Sequence, residues 1–340
     1  MKYISFCVPC YNSASYMRHC IDTLLSGGED VEIIIVDDGS TLDNTAEIAD
    51  EYASKYPSIV KAIHQPNGGH GAGVNQGIKN ASGLYYKVVD SDDWVSEESL
   101  QKVLNLIKSM EKDGKCVDML LCNYVYEYAD GSTPRVIDYA KTFPVNREFH
   151  FCEAKRFGTG KFIAMHTVLY RAALLKEIGL QLPEHTFYVD NIFVYQPLPH
   201  VKSMYYLPEN LYHYFVGRED QSINEQVLMK RIDQHIRITR IIIDAHCLQE
   251  IKITDKRLAK YMSDFTLIMV VICSIYLIKL GDKESLQKKR ELWEYLKNKD
   301  IKLYKYCRRH FTGATATNTK VGMAFCKGVY KIARKSIKFN

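Results

Sequence analysis

The first 125 residues alternate between short apolar runs and segments with helical periodicity, and this alternation is the strongest constraint on the fold. Apolar runs of about six residues without polar alternation are typical of strands buried on both faces of a parallel sheet. Five such strands are predicted: Tyr3 to Val8, Val31 to Val36, Ile59 to His64, Leu84 to Val89 and Asp118 to Val125. The sequence therefore predicts an α/β protein with a mainly parallel sheet flanked by helices.

Acidic or glycine-rich turns follow the second, third and fourth predicted strands. These turns are Asp37 to Ser40, Asn67 to Gly73 and Asp90 to Asp93. Because ligands of parallel sheets bind beyond the carboxyl ends of the strands, the turns form the predicted site. The last turn holds three carboxylates in four residues, which is unfavourable unless a cation or hydrogen-bond donors offset their repulsion. This pattern predicts a divalent metal ion with a phosphate-bearing ligand.

The chain is predicted to divide into residues 1–223, which carry the sheet, and a helical C-terminal extension, residues 224–340. In the extension, Phe265 to Ile278 is strongly apolar. Its roughly 14 residues fall short of the about 20 that a membrane-spanning helix needs. A buried helix is therefore the favoured interpretation of this segment.

The net charge of +5 hides an uneven distribution. Residues 301–340 contain ten basic residues and no acidic residue, so the rest of the chain is net acidic. A basic segment interleaved with aromatic and aliphatic residues is compatible with an anionic membrane surface, with nucleic acid or with a solvated helix. The acidic remainder argues against a nucleic-acid partner. Acceptor contact, membrane approach and self-association into a homo-oligomer remain open roles for the extension.

Ten cysteines with irregular spacing do not form a recognisable disulfide framework, and the N-terminal sequence lacks a secretory signal pattern. A cytoplasmic protein with reduced thiols is expected, with the inner face of the plasma membrane as a candidate location for peripheral binding. Cys7 and Cys10 have the CxxC spacing of zinc and redox sites. No second pair accompanies them, which favours small buried residues instead.

Four motifs occur in a recognisable order: Val8-Pro9-Cys10-Tyr11-Asn12, Ile35-Val36-Asp37-Asp38-Gly39-Ser40, Asn67-Gly68-Gly69 and Asp90-Ser91-Asp92-Asp93-Trp94. As a set they resemble the family 2 glycosyltransferases of bacterial cell-surface polysaccharide synthesis, which have the Rossmann-like GT-A fold. The resemblance is close over residues 1–100 and looser to about residue 223. It implies inverting, Mn²⁺- or Mg²⁺-dependent transfer of a sugar from a nucleotide diphosphate, with UDP favoured, to a hydroxyl of a glycan or lipid-linked acceptor.

By this resemblance, Pro9, Tyr11, Asp37 and Asp38 lie around the base of the donor. The residue types suit that role, because an aromatic ring stacks on a base and a carboxylate accepts a hydrogen bond from a uracil N–H. The alternative for the two aspartates is a turn in which a carboxylate caps the next helix.

In the same comparison, Asp90 contacts the ribose and Asp92 binds the metal ion. Oxygen ligands and a phosphate partner favour Mg²⁺ or Mn²⁺ over zinc. For Asp93, capping of the helix that begins near Ser96 is the alternative.

The loop that begins with Asn67 and Gly69 is predicted to bring backbone N–H groups towards the anionic donor. Many family members have Ala-Arg-Asn after this loop, whereas this chain has Gly73-Val74-Asn75. The missing arginine leaves His70 or Lys87 as candidate phosphate contacts. A Lys87 side chain that extends out of the sheet is the alternative.

The acceptor hydroxyl needs a base, and Asp190 occupies the position of the family's catalytic aspartate. Val189 stands where a glutamate is frequent, and helix capping is the alternative role for Asp190. Further along, His213 is a candidate metal ligand and Arg218 a candidate diphosphate contact.

Two other classes of function remain compatible with paired aspartates beside a parallel sheet. One is a metal-dependent nucleotidyltransferase or phosphohydrolase. The other is a noncatalytic nucleotide-sugar-binding protein.

Overall fold

The computed structural model describes residues 1–158, 161–217 and 225–337. The chain forms two compact units, Met1–Arg218 and Glu219–Asn340. The predicted division after residue 223 falls outside the described residues, so that boundary stays a prediction.

The first unit contains a ten-stranded sheet. Its strands are β1 (Ile4–Cys10), β2 (Val31–Asp37), β3 (Val60–His64), β4 (Tyr85–Val88), β5 (Trp94–Val95), β6 (Met119–Tyr128), β7 (Arg135–Ile137), β8 (Glu148–Phe149), β9 (Val168–Arg171) and β10 (Met204–Val216). Its helices are α1 (Met17–Leu25), α2 (Thr45–Lys55), α3 (His70–Asn80), α4 (Glu97–Lys112), α5 (Ala172–Glu177) and α6 (Asp190–Tyr195).

The strand order is β3-β2-β1-β4-β9-β6-β10-β5, with β7 beside β6 and β8 beside β10. Strands β3, β2, β1 and β4 are parallel, as are β6 and β10. Strand β9 is antiparallel to both β4 and β6, and the sequence did not predict it. The predicted α/β class with a mainly parallel sheet and a C-terminal helical region is confirmed.

Burial explains why these segments adopt these structures. Every residue of β1 and β2 is buried, as expected for central strands covered on both faces. Helix α1 buries Met17, Cys20, Ile21 and Leu24, whose spacing places them on one face. Helix α4 begins after Ser96, whose side chain accepts a hydrogen bond from the Ser99 N–H. The parallel strands then bring their following turns to one edge of the sheet.

The turns after β1 and β2 are joined by side-chain hydrogen bonds. Asn12 has a left-handed φ of 49°, a conformation that asparagine tolerates better than most residues. Its Oδ1 accepts from the N–H groups of Thr41 and Leu42, each at 3.1 Å. These bonds tie the turn that carries Tyr11 to the turn after β2, about 30 residues further along the chain.

The described elements of the second unit are helical. They are α7 (Glu225–Lys230), α8 (Ile232–Ala245), α9 (Leu248–Thr254), α10 (Lys256–Leu280), α11 (Lys283–Lys299), α12 (Ile301–Arg309) and α13 (Lys320–Ile337), with a 3₁₀ segment at Phe311–Ala316. The aspartates at 255, 282 and 300 cap α10, α11 and α12.

Helix α10 has 25 residues, so it is longer than the apolar stretch of about 14 residues from which the sequence predicted it. The first turns of the helix carry charged side chains, which hid its start. By length and composition this helix could cross a membrane, but 72% of its most apolar 18-residue window is buried inside the protein. This burial agrees with the prediction that the apolar segment forms a buried helix.

All ten cysteines are free thiols. Cys7 and Cys10 are buried in β1, and burial raises the pKa of the Cys7 thiol to about 12. A protonated, buried thiol is a poor nucleophile and metal ligand. The structure therefore agrees with the interpretation of this pair as small core residues.

Candidate active site

Asp93 is buried at the end of the turn that follows β4. Its Oδ1 accepts a hydrogen bond of 2.8 Å from the Phe215 N–H, and its Oδ2 accepts one from the Tyr212 hydroxyl. Burial raises the pKa of Asp93 well above its usual range, and Asp90 and Asp92 add to that shift. Asp93 thus ties β10 to the turn. The capping alternative for Asp93 is wrong, because Ser96 caps α4.

Asp90 has a histidine partner. Its Oδ1 lies 2.7 Å from Nε2 of His70, the first residue of α3. Burial favours the neutral carboxyl, but the attraction to His70 outweighs it and lowers the pKa of Asp90. In turn, Asp90 raises the pKa of His70 against the effect of burial. The two side chains form an ion pair, which the sequence pattern did not indicate.

His166 is a site residue that sequence reasoning missed. It lies in the 3₁₀ turn Met165–Thr167 before β9, and its ring stacks on Tyr212 and Tyr214 with centroids 4.7 Å apart in each case. Its buried Nδ1 has no hydrogen-bond partner among the described residues. Burial lowers the pKa of His166 to about 4, so the ring is neutral. A lone histidine in an irregular segment gave no sequence signal.

Ligand atoms of Asp90, Asp93 and His166 lie within 4.8 Å of one another. We call these three residues the Asp-Asp-His cluster. Two carboxylate oxygens and a neutral imidazole nitrogen form a donor set suited to a divalent first-row metal.

The predicted ligands Asp92 and His213 are not members of this cluster. The Nδ1 atom of His213 lies 2.8 Å from Oε1 of Glu127, and its ring stacks on Trp94 at 5.6 Å. Since successive strand residues face opposite sides, His213 points away from the face that carries Tyr212 and Tyr214. The structure brings His166, rather than His213, to the carboxylates. Metal binding by Asp92 and His213 stays a prediction.

At the base end of the predicted donor site, Pro9 is buried in β1 and Tyr11 beyond it is exposed. Asp37 is buried, and its Oδ1 accepts from the Ser40 N–H at 3.0 Å. Its Oδ2 lies 3.0 Å from Nδ1 of His64. The carboxylate of Asp37 therefore stabilises its own turn, but it does not cap α2, whose N-cap residue is Asn44. The Tyr11 ring is accessible for stacking.

Asp38 organises the glycine-rich loop before α3. Its carboxylate accepts from the N–H groups of Gly68 at 2.9 Å and Gly69 at 2.7 Å, and from the side chain of Gln65. The amide of Asn67 donates to the Asp38 carbonyl at 3.0 Å. Donor binding by Asp38, Asn67 and Gly69 stays a prediction, but the structure gives all three a role in holding this loop.

The glycines of this loop allow another segment to approach closely. A Cβ on Gly71 would lie 2.6 Å from the carbonyl oxygen of Pro183, and Gly69 has a φ of 83°. The side chain of Asn75 both accepts from the Leu182 N–H at 2.8 Å and donates to the Leu182 carbonyl at 2.9 Å. Helix α3 therefore holds the segment that leads to Asp190.

Lys87 is fully buried. This burial corrects both roles considered from the sequence, a phosphate contact and a side chain that extends out of the sheet. Its ammonium donates to the carbonyl oxygen of His166 at 2.7 Å, and burial lowers the pKa of Lys87 to about 8. The side chain neither extends out of the sheet nor lies at the surface. It holds His166 in place.

Asp190 is the first residue of α6, and Val189 is the N-cap residue. The segment before it contains His185 and Tyr188 at positive φ, 48° and 67°, which is strained backbone for residues other than glycine. Asp190 is exposed at the surface, yet nearby protein atoms partly desolvate its carboxylate and raise its pKa, an effect that His70 opposes and Asp90 reinforces. This third carboxylate therefore lies within electrostatic reach of the Asp90–His70 pair. The predicted Arg218 lies outside the described residues.

Comparison with known proteins agrees with this arrangement. The model of the family "Glycosyl transferase family 2" matches residues 5–179. A putative glycosyltransferase, EpsH of Bacillus subtilis, is 29% identical over 301 residues, which cover 87% of this chain and 81% of EpsH. EpsJ of the same organism, an uncharacterized glycosyltransferase, is 32% identical over 68% of this chain and 66% of its own.

Solved structures show the same fold. Residues 1–349 of TarS from S. aureus, in complex with UDP, match with a TM-score of 0.57 and 21% identity, over 90% of each chain. The mannosyltransferase PcManGT from Pyrobaculum calidifontis, in complex with GDP-Man and Mn²⁺, matches with a TM-score of 0.51 and 14% identity, over 96% of this chain and 87% of that one. With the GT-A-like sheet, the strand-end carboxylates and the matched motifs, the chain belongs to glycosyl transferase family 2.

Proposed function

We propose that this glycosyltransferase moves a sugar from a UDP-linked donor to an acceptor hydroxyl, with metal assistance and inversion at the anomeric carbon, in cell-surface glycan synthesis. The observation that carries the proposal is the Asp-Asp-His cluster, with Asp190 within electrostatic reach of Asp90. The poly(ribitol-phosphate) beta-glucosyltransferase of Bacillus spizizenii, 30% identical over 65% of this chain and 33% of its own, supports the glycan class. The TarS complexes with UDP and UDP-GlcNAc support the donor class.

The residues present fit a divalent metal. The buried Nδ1 of His166 has no hydrogen-bond partner among the described residues, and a ring nitrogen of His166 lies within 4.8 Å of oxygens of Asp90 and Asp93. Asp90, Asp93 and His166 would hold the ion, with Asp92 adjacent in sequence. An imidazole ligand favours Mn²⁺ over Mg²⁺, which prefers oxygen ligands. When bound, the ion would stabilise the charge of the diphosphate leaving group.

The chain's own residues account for the other requirements. Tyr11 presents an accessible ring to the base, and Asp90, held by His70, would accept a hydrogen bond from the ribose. Asp190 would take the proton of the acceptor hydroxyl as that oxygen attacks the anomeric carbon. Its raised pKa makes it a stronger base than an ordinary carboxylate. Direct displacement from the face opposite the leaving group inverts the anomeric configuration.

A panel of nucleotide sugars with Mn²⁺, scored for nucleoside diphosphate release, tests this function. We expect Asp190→Asn to lower transfer by about 10²–10⁴-fold, the usual contribution of a general base, while donor affinity stays within about twofold. The matched control is Asp130→Asn, because Asp130 lies in an exposed turn of the same unit.

Release of pyrophosphate or inorganic phosphate would instead favour a nucleotidyltransferase or a phosphohydrolase. Donor binding by the parent chain without any turnover would favour a noncatalytic binding protein. Unchanged transfer in Asp190→Asn would contradict the assignment of the base.

A further inference from the structure

Helix α13 exposes a row of apolar side chains. Val321, Phe325 and Ile332 are 82%, 52% and 68% exposed, and their spacing of four and seven residues places them on one side of the helix. Phe311, 66% exposed, lies in the preceding 3₁₀ segment, with its ring 6.0 Å from that of Phe325. We call these four residues the apolar row. Apolar side chains grouped in this way mark a surface that binds something.

The apolar row is not the side by which α13 packs on its own unit. Cys326 is buried, and the hydroxyl of Tyr330 lies 3.2 Å from that of Tyr276 in α10. Both residues are on the opposite side of α13 from the row. The helix is therefore already anchored, and the apolar row faces outward from the second unit.

A second row, made of lysines, runs beside the first. Lys320, Lys327 and Lys331 are exposed and spaced by seven and four residues, so they form a row turned by roughly 120° around the helix from the apolar row. The ammonium of Lys327 lies beside Gly281 at the end of α10, which leaves Lys320 and Lys331 as the outer members of the row. Residues 301–340 contain ten basic residues and no acidic one. An apolar row beside a cationic row is the pattern of a helix that lies in a membrane interface.

We propose that this face of α13 binds the surface of an anionic lipid bilayer. The apolar row would enter the boundary between headgroups and acyl chains, while the lysine row would contact lipid phosphates. Phe311 would enlarge the inserted surface beyond α13 itself. Binding does not depend on the donor chemistry, and only its benefit for a lipid-linked acceptor rests on the proposed function.

The charges favour a bilayer over a second copy of the chain. A two-fold interface through this face would place one lysine row near its own symmetry mate, and no acidic residue in 301–340 could compensate. Nucleic acid would account for the lysines but not for exposed Val321 and Ile332, since its affinity comes mainly from phosphate contacts.

The test is co-sedimentation of the full chain with vesicles of phosphatidylcholine alone or with added phosphatidylglycerol. We expect the wild type to bind the anionic vesicles, and Val321→Glu and Phe325→Glu each to lower the partition coefficient by about tenfold or more. The matched control is Ile253→Glu, because Ile253 in α9 is 83% exposed and lies outside the row. Lys331→Gln should lower binding by about fivefold, and only to anionic vesicles.

Equal binding by wild type and Val321→Glu, or no preference for anionic vesicles, would overturn the proposal. So would a dimer of the wild type in size-exclusion chromatography that Val321→Glu converts to a monomer. Turnover of soluble donor is measured in parallel, so loss of membrane binding and loss of catalysis are separate readouts.

Discussion

Two acidic turns lie at the ends of nearby parallel strands, yet their carboxylates have different surroundings. The β2 turn uses Asp37 and Asp38 to bind local groups, chiefly backbone N–H groups and His64. The β4 turn pairs Asp90 with His70 and Asp93 with Tyr212, and both aspartates lie close to the His166 ring. Similar motifs therefore have different partners: the β2 carboxylates hold their own loops, whereas the β4 carboxyl groups belong to the cluster that we propose as the metal site.

The largest effect on folding is expected in the β2 turn. Asp38→Ala leaves the N–H groups of Gly68 and Gly69 without their acceptor, and should lower the free energy of unfolding by about 2–3 kcal/mol. Urea unfolding in a Trp293→Phe background, where Trp94 alone reports on the first unit, gives the measurement. Asp50→Ala, at an exposed position, is the control with an effect of about 0.5 kcal/mol or less. If both variants lost the same free energy of unfolding, the proposal that Asp38 holds the loop would be contradicted.

A smaller effect is expected on Mn²⁺ binding, and it distinguishes His166 near the β4 turn from His64 near the β2 turn. His166→Ala should weaken Mn²⁺ binding by about 10–100-fold, because it removes a nitrogen beside two carboxylates. His64→Ala, which removes the partner of Asp37, should leave Mn²⁺ affinity unchanged. Electron paramagnetic resonance titration of the protein with Mn²⁺ alone measures both, and circular dichroism checks that His166→Ala folds. Identical affinities in wild type and His166→Ala would show that the cluster holds no metal.

The smallest effect is a pH dependence in the β2 turn. Hydrogen bonds to Asp37 and then Asp50 raise the pKa of His64 above its usual value of about 6.5. The charged pair therefore stabilises the fold fully below that value, and the contribution is lost as the pH rises through the folded pKa. Because His64 is well exposed, solvent screening keeps the effect below about 1 kcal/mol. The stability difference between wild type and His64→Gln should shrink from pH 6 to pH 8.5, and a constant difference would contradict the pairing.

The sequence predicted the structural features that depend on residues close together in the chain. Apolar runs located β1 to β4, and turn residues located the acidic loops at their ends, because both signals are local. It did not predict that His70 pairs with Asp90, or that Lys87 is buried against the His166 carbonyl. These contacts join residues 20 and 79 positions apart, so only the folded sheet creates them.

Strand β9 was missed for a related reason. Val168–Arg171 is short and follows an irregular, aromatic-rich segment, so no alternation or turn signal set it apart. Its antiparallel insertion between β4 and β6 is what places His166 beside the carboxylates. The position of the missed ligand therefore follows from the missed strand.

Helix α3 connects the turn of Asp90 to the segment that leads to Asp190. It begins with His70, which holds Asp90, and five residues later Asn75 holds Leu182, which leads to Asp190. A helix rises by about 1.5 Å per residue and hardly stretches, so α3 fixes the spacing between the His70 contact with Asp90 and the Asn75 contact with Leu182. Changes in the segment between Leu182 and Asp190 should therefore leave that spacing unchanged, provided that Gly71 and Asn75 are kept. For an engineer, α3 marks the part of the enzyme to leave untouched.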